Sequence, residues 1–165
     1  MLVPTASERL GEPGIADEVE WELTNAGLSV TRIDVGDRAA LQSADVIAVS
    51  GGDPFHLLHA ARAAGFADAV RASGAVYVGY SAGAMVAGPT LEPITLTSPF
   101  MPPPGLALAG LGLTDVLVLP HHGRPGRAAR HAEAIARFGT RVRLEPLHDG
   151  DYVIVDGDDV RVLRG

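Results

Sequence analysis

Ala75-Val76-Tyr77-Val78-Gly79-Tyr80-Ser81-Ala82-Gly83-Ala84-Met85-Val86 is the stretch on which the reading of the whole chain turns. Its β-branched and aromatic beginning has the composition of a buried strand, and the small residues after Ser81 have that of a helix start. Ser81 therefore falls on a strand-to-helix corner, between Gly79 and Gly83 in a Gly-x-Ser-x-Gly pattern. At so sharp a corner the neighbouring backbones come so close that side chains flanking the serine would clash. The hydroxyl is pushed out at the tip, and the backbone N–H of Ala82 points at any anion forming beside it. This is the pattern of a nucleophile elbow, and it makes Ser81 the candidate nucleophile.

Composition narrows the chemistry. At 165 residues the chain is expected to form one domain, 1–165, large enough to bury a core without staples. Aromatics are only 5% of residues against 47% hydrophobic, so that core must be built of Ala, Val, Leu and Ile. The absence of cysteine excludes disulfides, thiolate metal sites and a cysteine nucleophile, which leaves serine as the natural covalent catalyst. A net charge of −7, with arginine as the sole basic residue type, argues against a nucleic-acid partner. No apolar run approaches the roughly 18 residues of a membrane span and no signal-peptide order opens the chain, so a cytoplasmic location without membrane association is expected.

Outward from the elbow, the pattern alternates strands and helices. Leu2-Val3 reads as a strand that runs into a loop at Pro4-Thr5-Ala6-Ser7. Pro13 opens a helix in which Ile15, Val19, Leu23 and Ala26 share a face and which Gly27 ends. Residues 28–35 alternate as a strand does, a short helix follows at 38–43, and Asp45 to Val49 is a continuous buried strand. Helices at 55–64 and 66–72 then lead to the elbow strand. This is the rhythm of an α/β fold: a mostly parallel sheet with helices on both faces. Ser50-Gly51-Gly52-Asp53-Pro54 stands at the carboxyl end of its strand, where open α/β sheets place ligands, and Gly52 is the candidate second oxyanion donor beside Ala82. His56 and His59 have metal-ligand spacing on a helix, but no third ligand stands at a supporting distance, so no metal or other cofactor is expected.

Beyond the elbow helix the chain becomes proline-rich from Gly88 to Gly105, a stiff connection expected either to wall the site or to pack on a neighbouring subunit through Phe100, Met101, Leu106 and Leu108. Asp115 to Leu119 is again a buried strand, and it delivers Pro120-His121-His122-Gly123 to its carboxyl end. A histidine there is where a general base is needed, and only one of an adjacent extended pair can face Ser81. An arginine-rich helix (124–138), a strand (141–144) and an antiparallel hairpin (152–155 with 160–163, around Asp156-Gly157-Asp158) complete the chain.

Taken together, Val3-Pro4-Thr5-Ala6, Ser50-Gly51-Gly52-Asp53, Gly79-Tyr80-Ser81-Ala82-Gly83-Ala84 and Leu119-Pro120-His121 resemble the peptidase E (aspartyl dipeptidase) family of serine peptidases, whose fold is similar to that of class I glutamine amidotransferases. The resemblance implies a short-peptide substrate, Ser81 as nucleophile, His121 as base, and Gly52 with Ala82 as oxyanion donors. For the triad acid, Asp115 lies about 20 Å from His121 along an extended strand at about 3.3 Å per residue. Glu92 is not excluded that way and gives the order serine, acid, histidine of an elbow hydrolase, so a Ser-His-Glu triad is expected. Asp53 stands where the family often has asparagine, and its carboxylate is expected to meet the substrate's free amino group. Arg130 matches by position an arginine after the family's histidine and is the candidate clamp for an N-terminal aspartate. Family members begin with an additional strand, so the first strand here is expected to leave an open edge that a second subunit could cover in a homo-oligomer. A cyanophycinase-like or esterase-like hydrolase would share the elbow and base; a non-catalytic binding module would have no need of serine and histidine at facing strand ends.

Overall fold

The computed structural model describes residues 1–8, 10–11 and 14–165. The helix opening expected at Pro13 lies outside the described residues. In chain order the elements are β1 (Leu2–Val3), α1 (Thr5–Glu8), α2 (Gly14–Asn25), α3 (Arg38–Gln42), β2 (Val46–Val49), α4 (Pro54–Ala64), α5 (Phe66–Ser73) and β3 (Val76–Gly79). They continue with α6 (Ala82–Ala87), α7 (Ile94–Thr97), β4 (Val116–Leu119), α8 (Arg127–Phe138), β5 (Arg143–Pro146), β6 (Tyr152–Asp156) and β7 (Asp159–Leu163). No described helix is long and apolar enough to cross a membrane.

The architecture is α/β, and the named strands pair in parallel except in the final hairpin. β1, β2 and β3 pair in that order, β4 pairs with β5, and β6 pairs antiparallel with β7. Side chains alternate across the first sheet and so build two layers. Leu2, Ala48, Val78 and Tyr80 meet Val19 and Leu23 of α2 on one face. Val3, Ile47 and Val49 bury the other face under Phe55, Leu57 and Leu58 of α4, Phe66 and Val70 of α5, and Met85 and Val86 of α6. Because Leu117 and Leu119 of β4 belong to that same core, α6 joins the two parallel sheets. β6 and β7 rest Val153, Val160 and Val162 on Val116, Val118 and Leu147.

Four local expectations are corrected. Residues 28–35 do not form a full strand: Arg32 makes one parallel bridge to Leu2, with Leu2 N–H bonded to the Thr31 carbonyl and Ile33 N–H to the Leu2 carbonyl, both at 2.9 Å. β1 is two residues long and offers no more ladder than that. The same bonds cover the outer edge of β1, so the open edge of this sheet is the far side of β3. The Pro4 loop is instead a turn of helix, α1. The proline-rich connection contains α7 and folds onto its own core: Ile94 is buried, Leu91 N–H bonds the Leu108 carbonyl, and Phe100, Leu106 and Leu108 are partly buried against the main cluster. None of its residues lines the groove beside Ser81 and His121.

Candidate active site

Parallel strands end on the same side, so the corners after β2, β3, β4 and β5 converge. The corner after β3 is the elbow. Ser81 has φ 47° and ψ −102°, a conformation that costs a non-glycine residue on the order of 1–3 kcal/mol and must be held by its surroundings. The hold is visible on both sides. Tyr80 N–H bonds the Val49 carbonyl, Gly83 N–H the Tyr80 carbonyl and Met85 N–H the Ser81 carbonyl. A Cβ at Gly79 would run into the backbone of Gly83 and Ala84, and one at Gly83 into the Val49 carbonyl. The Tyr77 hydroxyl donates to the Gly83 carbonyl at 2.7 Å, and burial pushes that phenol far above its ordinary pKa.

The corner after β4 delivers His121, also at positive φ, 64°. Its Nε2 lies 3.1 Å from Ser81 Oγ and its Nδ1 2.5 Å from Asp149 Oδ1. An ionised carboxylate only accepts, so Nδ1 carries the proton and Nε2 is left as the acceptor facing the serine. Asp149 Oδ2 takes a second bond from Arg124 Nε at 2.8 Å. The bond from His121, then that from Arg124, hold the Asp149 carboxyl below its usual pKa although the side chain is half exposed.

His122 turns the other way. Its Nδ1 lies 3.0 Å from Nδ1 of His131 and the two rings stack. His131 is buried, and desolvation, followed by the nearby His122 and Arg127, lowers its pKa to about 4. It is a neutral imidazole at ordinary pH.

The corner after β2 lies against Ser81: a Cβ at Gly51 would stand 3.3 Å from that of Ser81. Gly52 has φ +136°, and a Cβ there would collide with the Ala6 carbonyl, so only glycine fits. Among the described residues, the N–H groups of Gly52 and Ala82 donate to no protein acceptor. They are the two candidate oxyanion donors.

Three further candidates fare differently. Glu92 does not meet His121; it sits in the turn before α7, half exposed, 3.8 Å from Arg141. Asp149 takes the place expected for it because β5 runs parallel beside β4 in the register Leu119↔Pro146, which brings the loops that follow the two strands together. The three side chains that meet follow one another along the chain as Ser81, His121 and Asp149. Asp53 is 2% exposed and caps α4, its carboxylate accepting from the N–H groups of Phe55 and His56. The expectation that it meets a substrate amine is corrected accordingly. Arg130 is exposed on α8 near Arg127 and carries no hydrogen bond or ion pair among the described residues, whereas Arg124 holds Asp149 and Arg127 the Thr97 carbonyl.

The loop after β5 is itself braced. Asp151, whose side chain is 5% exposed, accepts from His148 N–H at 2.9 Å, from Gly165 N–H at 3.2 Å and from Arg164 Nη1 at 2.8 Å. Arg164 also bonds Glu145 and the Pro146 carbonyl. Asp149 thus stands in a turn pinned at both ends.

Comparison with known proteins places these features in a family. The model of peptidase family S51 matches residues 1–163. A peptidase E from Shewanella amazonensis is 32% identical over 175 residues, covering 99% of this chain and 73% of the relative. An uncharacterized peptidase from Pasteurella multocida is 24% identical over 174 residues, with 99% and 84% covered. A crystal structure from Listeria monocytogenes EGD-e that bears the peptidase E name superposes with a TM-score of 0.82 at 24% identity, over 99% of this chain and 84% of that one, a likeness of fold.

Proposed function

The chain belongs to peptidase family S51, and from that premise we propose that it removes the N-terminal residue of short peptides, as a dipeptidase or aminopeptidase does, through Ser81, His121 and Asp149. The observation that carries this reading is the hydrogen-bonded line from Asp149 through His121 to Ser81.

In the first half-reaction Ser81 Oγ bonds to the scissile carbonyl carbon while its proton passes to His121 Nε2. The carbonyl oxygen becomes an oxyanion, met by the N–H groups of Gly52 and Ala82. The C–N bond then breaks, the electron pair leaves with nitrogen, and His121 gives that nitrogen its proton. A water molecule, deprotonated by His121, attacks the acyl ester, and the proton returns to Ser81 as the N-terminal residue departs. Asp149 accepts from Nδ1–H throughout, orienting the ring and stabilising the imidazolium. An N-terminal aspartate would be favoured by Arg130, whose guanidinium has a planar fork to offer a carboxylate.

Ser81→Ala should lose on the order of 10⁴–10⁶ in turnover and all labelling by a fluorophosphonate, since only binding and the oxyanion donors would remain. Retained activity in that variant overturns the reading.

A further inference from the structure

The turn that follows His121 carries a cation with donors to spare. Arg124 N–H bonds the His121 carbonyl at 3.0 Å, which folds the arginine back beside the base. Its Nε donates to Asp149 Oδ2 at 2.8 Å, on the carboxylate whose other oxygen lies 2.5 Å from His121 Nδ1. A guanidinium has five N–H donors in a rigid planar fork, and this bond uses one of them. Among the described residues the two Nη groups donate to no protein acceptor, and the side chain is exposed. A set of four unused donors therefore stands two hydrogen bonds from the imidazole that faces Ser81.

Arg124 has neighbours of its own sign. Burial, then Arg130 and Arg124, hold the Arg127 guanidinium below its ordinary pKa, so the three cations lie within electrostatic reach of one another. Arg127 bonds the Thr97 carbonyl, and among the described residues Asp149 is the one carboxylate paired with any of the three. In a chain of net charge −7, three arginines sharing a single acid beside the base make a local field that attracts an anion. The groove of about 780 Å³ next to Ser81 and His121 has the opposite lining: Glu22, Asp149 and Asp151 and, among the described residues, no arginine. A substrate carboxylate is therefore turned away from the groove and towards Arg124.

The chemistry says which carboxylate this is. To protonate the leaving nitrogen, His121 Nε2 must come within about 2.6–3.2 Å of it. In a dipeptide the carboxylate carbon is two covalent bonds farther on, about 1.46 and 1.52 Å, so its charge falls in the immediate neighbourhood of the base. In a longer peptide the same place holds a neutral amide, with one carbonyl oxygen and no charge.

We propose that Arg124 binds the free carboxylate of the leaving residue through its two Nη groups, and so selects dipeptides. This rests on the serine peptidase reading above and specifies its substrate; the contact is separate from the one offered by Arg130 to an N-terminal aspartate. Because the fork is rigid, a carboxylate held on the Nη groups also steadies Nε on Asp149, so the substrate's own terminus helps to fix the acid that orients the base.

The test compares dipeptides as free acids and as C-terminal amides, in one series with N-terminal aspartate and one with N-terminal leucine, release of the N-terminal residue being followed by chromatography. The wild type should favour the free acid by at least about tenfold in kcat/KM, ~1.4 kcal/mol, in whichever series it cleaves. Arg124→Ala should slow both forms, because Asp149 loses its second bond, while bringing them to within about twofold of each other. Arg124→Lys should keep part of the preference, as a point charge without a fork. A wild type indifferent to amidation, or an alanine variant with the full preference, overturns the proposal. Should the alanine variant be too slow to measure, the lysine variant decides: a reduced preference upholds the assignment and an unchanged one refutes it. Fluorophosphonate labelling of Ser81 separates the two failures: labelling with no preference for the free acid sinks the Arg124 assignment alone, and neither labelling nor hydrolysis sinks the peptidase reading with it.

Discussion

Ser81 and His121, whose side chains meet at 3.1 Å, are also the two non-glycine residues with positive φ among those described. The coincidence has a mechanical basis. Each side chain must leave the end of a strand and turn towards the other, and ordinary extended backbone would send them to opposite faces of their sheets. The geometry of the pair is thus written into backbone torsions, held on the Ser81 side by packing around Gly79 and Gly83.

Strain of this kind is separable from activity. Ser81→Gly removes the Cβ that makes φ 47° costly, at the expense of a more flexible unfolded chain. The net expectation is an inactive protein more stable by about 1 kcal/mol, a Tm higher by about 3 °C. An unchanged or lower Tm would mean that the elbow is not strained.

The assignment of the acid is decided by a pair of variants. Asp149→Asn should lower kcat by roughly 10³–10⁴, because the amide can present its N–H to His121 and favour the wrong tautomer. Glu92→Gln should stay within about twofold of wild type, since an exposed pair with Arg141 is worth little. The reverse pattern in steady-state rates would return Glu92 to the site.

Arg164 touches neither Ser81 nor His121 in the hydrogen-bond network, yet it pins the turn that carries Asp149. Arg164→Ala should lower kcat about tenfold, ~1.4 kcal/mol in the barrier, with KM little changed, and Arg164→Lys should restore part of it. If the alanine variant keeps its full kcat, the turn holds its shape without the brace.

His131 sets a pH dependence of stability. Its folded pKa, about 4, lies below the ordinary 6.5, so between those values the unfolded chain binds a proton that the native protein refuses. Stability from this group is present above about pH 6.5 and is lost as pH falls towards 4. The full shift corresponds to roughly 3 kcal/mol at about 1.4 kcal/mol per pH unit. Thermal melts from pH 7 to pH 4 should fall less steeply for His131→Gln than for wild type; parallel curves would assign the acid sensitivity elsewhere.

The legible parts of this protein are those whose chemistry is local. The elbow could be read because strand composition, small residues and paired glycines lie within twelve positions, and Gly52 because its corner follows a continuous apolar strand. Asp149 could not be read that way: it reaches His121 through the register of β4 on β5, a contact across 28 residues. A signal was nonetheless present. His148-Asp149-Gly150-Asp151 is a turn at the end of a strand that follows β4 through a single helix, and such strands lie side by side and end together. Local pattern misled at residues 28–35, where the alternation is genuine but β1 supplies only two residues to pair with, and in the proline-rich segment, where prolines bound α7 rather than forbid helix.

Among the described residues the two parallel sheets share α6 and a core but no backbone ladder, and the proposed catalytic machinery is divided between them. The nucleophile and oxyanion donors ride on β2 and β3; the base and acid ride on β4 and β5. The Ser81–His121 bond is therefore a latch across a seam. A small sliding of one sheet on the other would part Ser81 from His121, so their 3.1 Å contact depends on how α6 packs against both sheets.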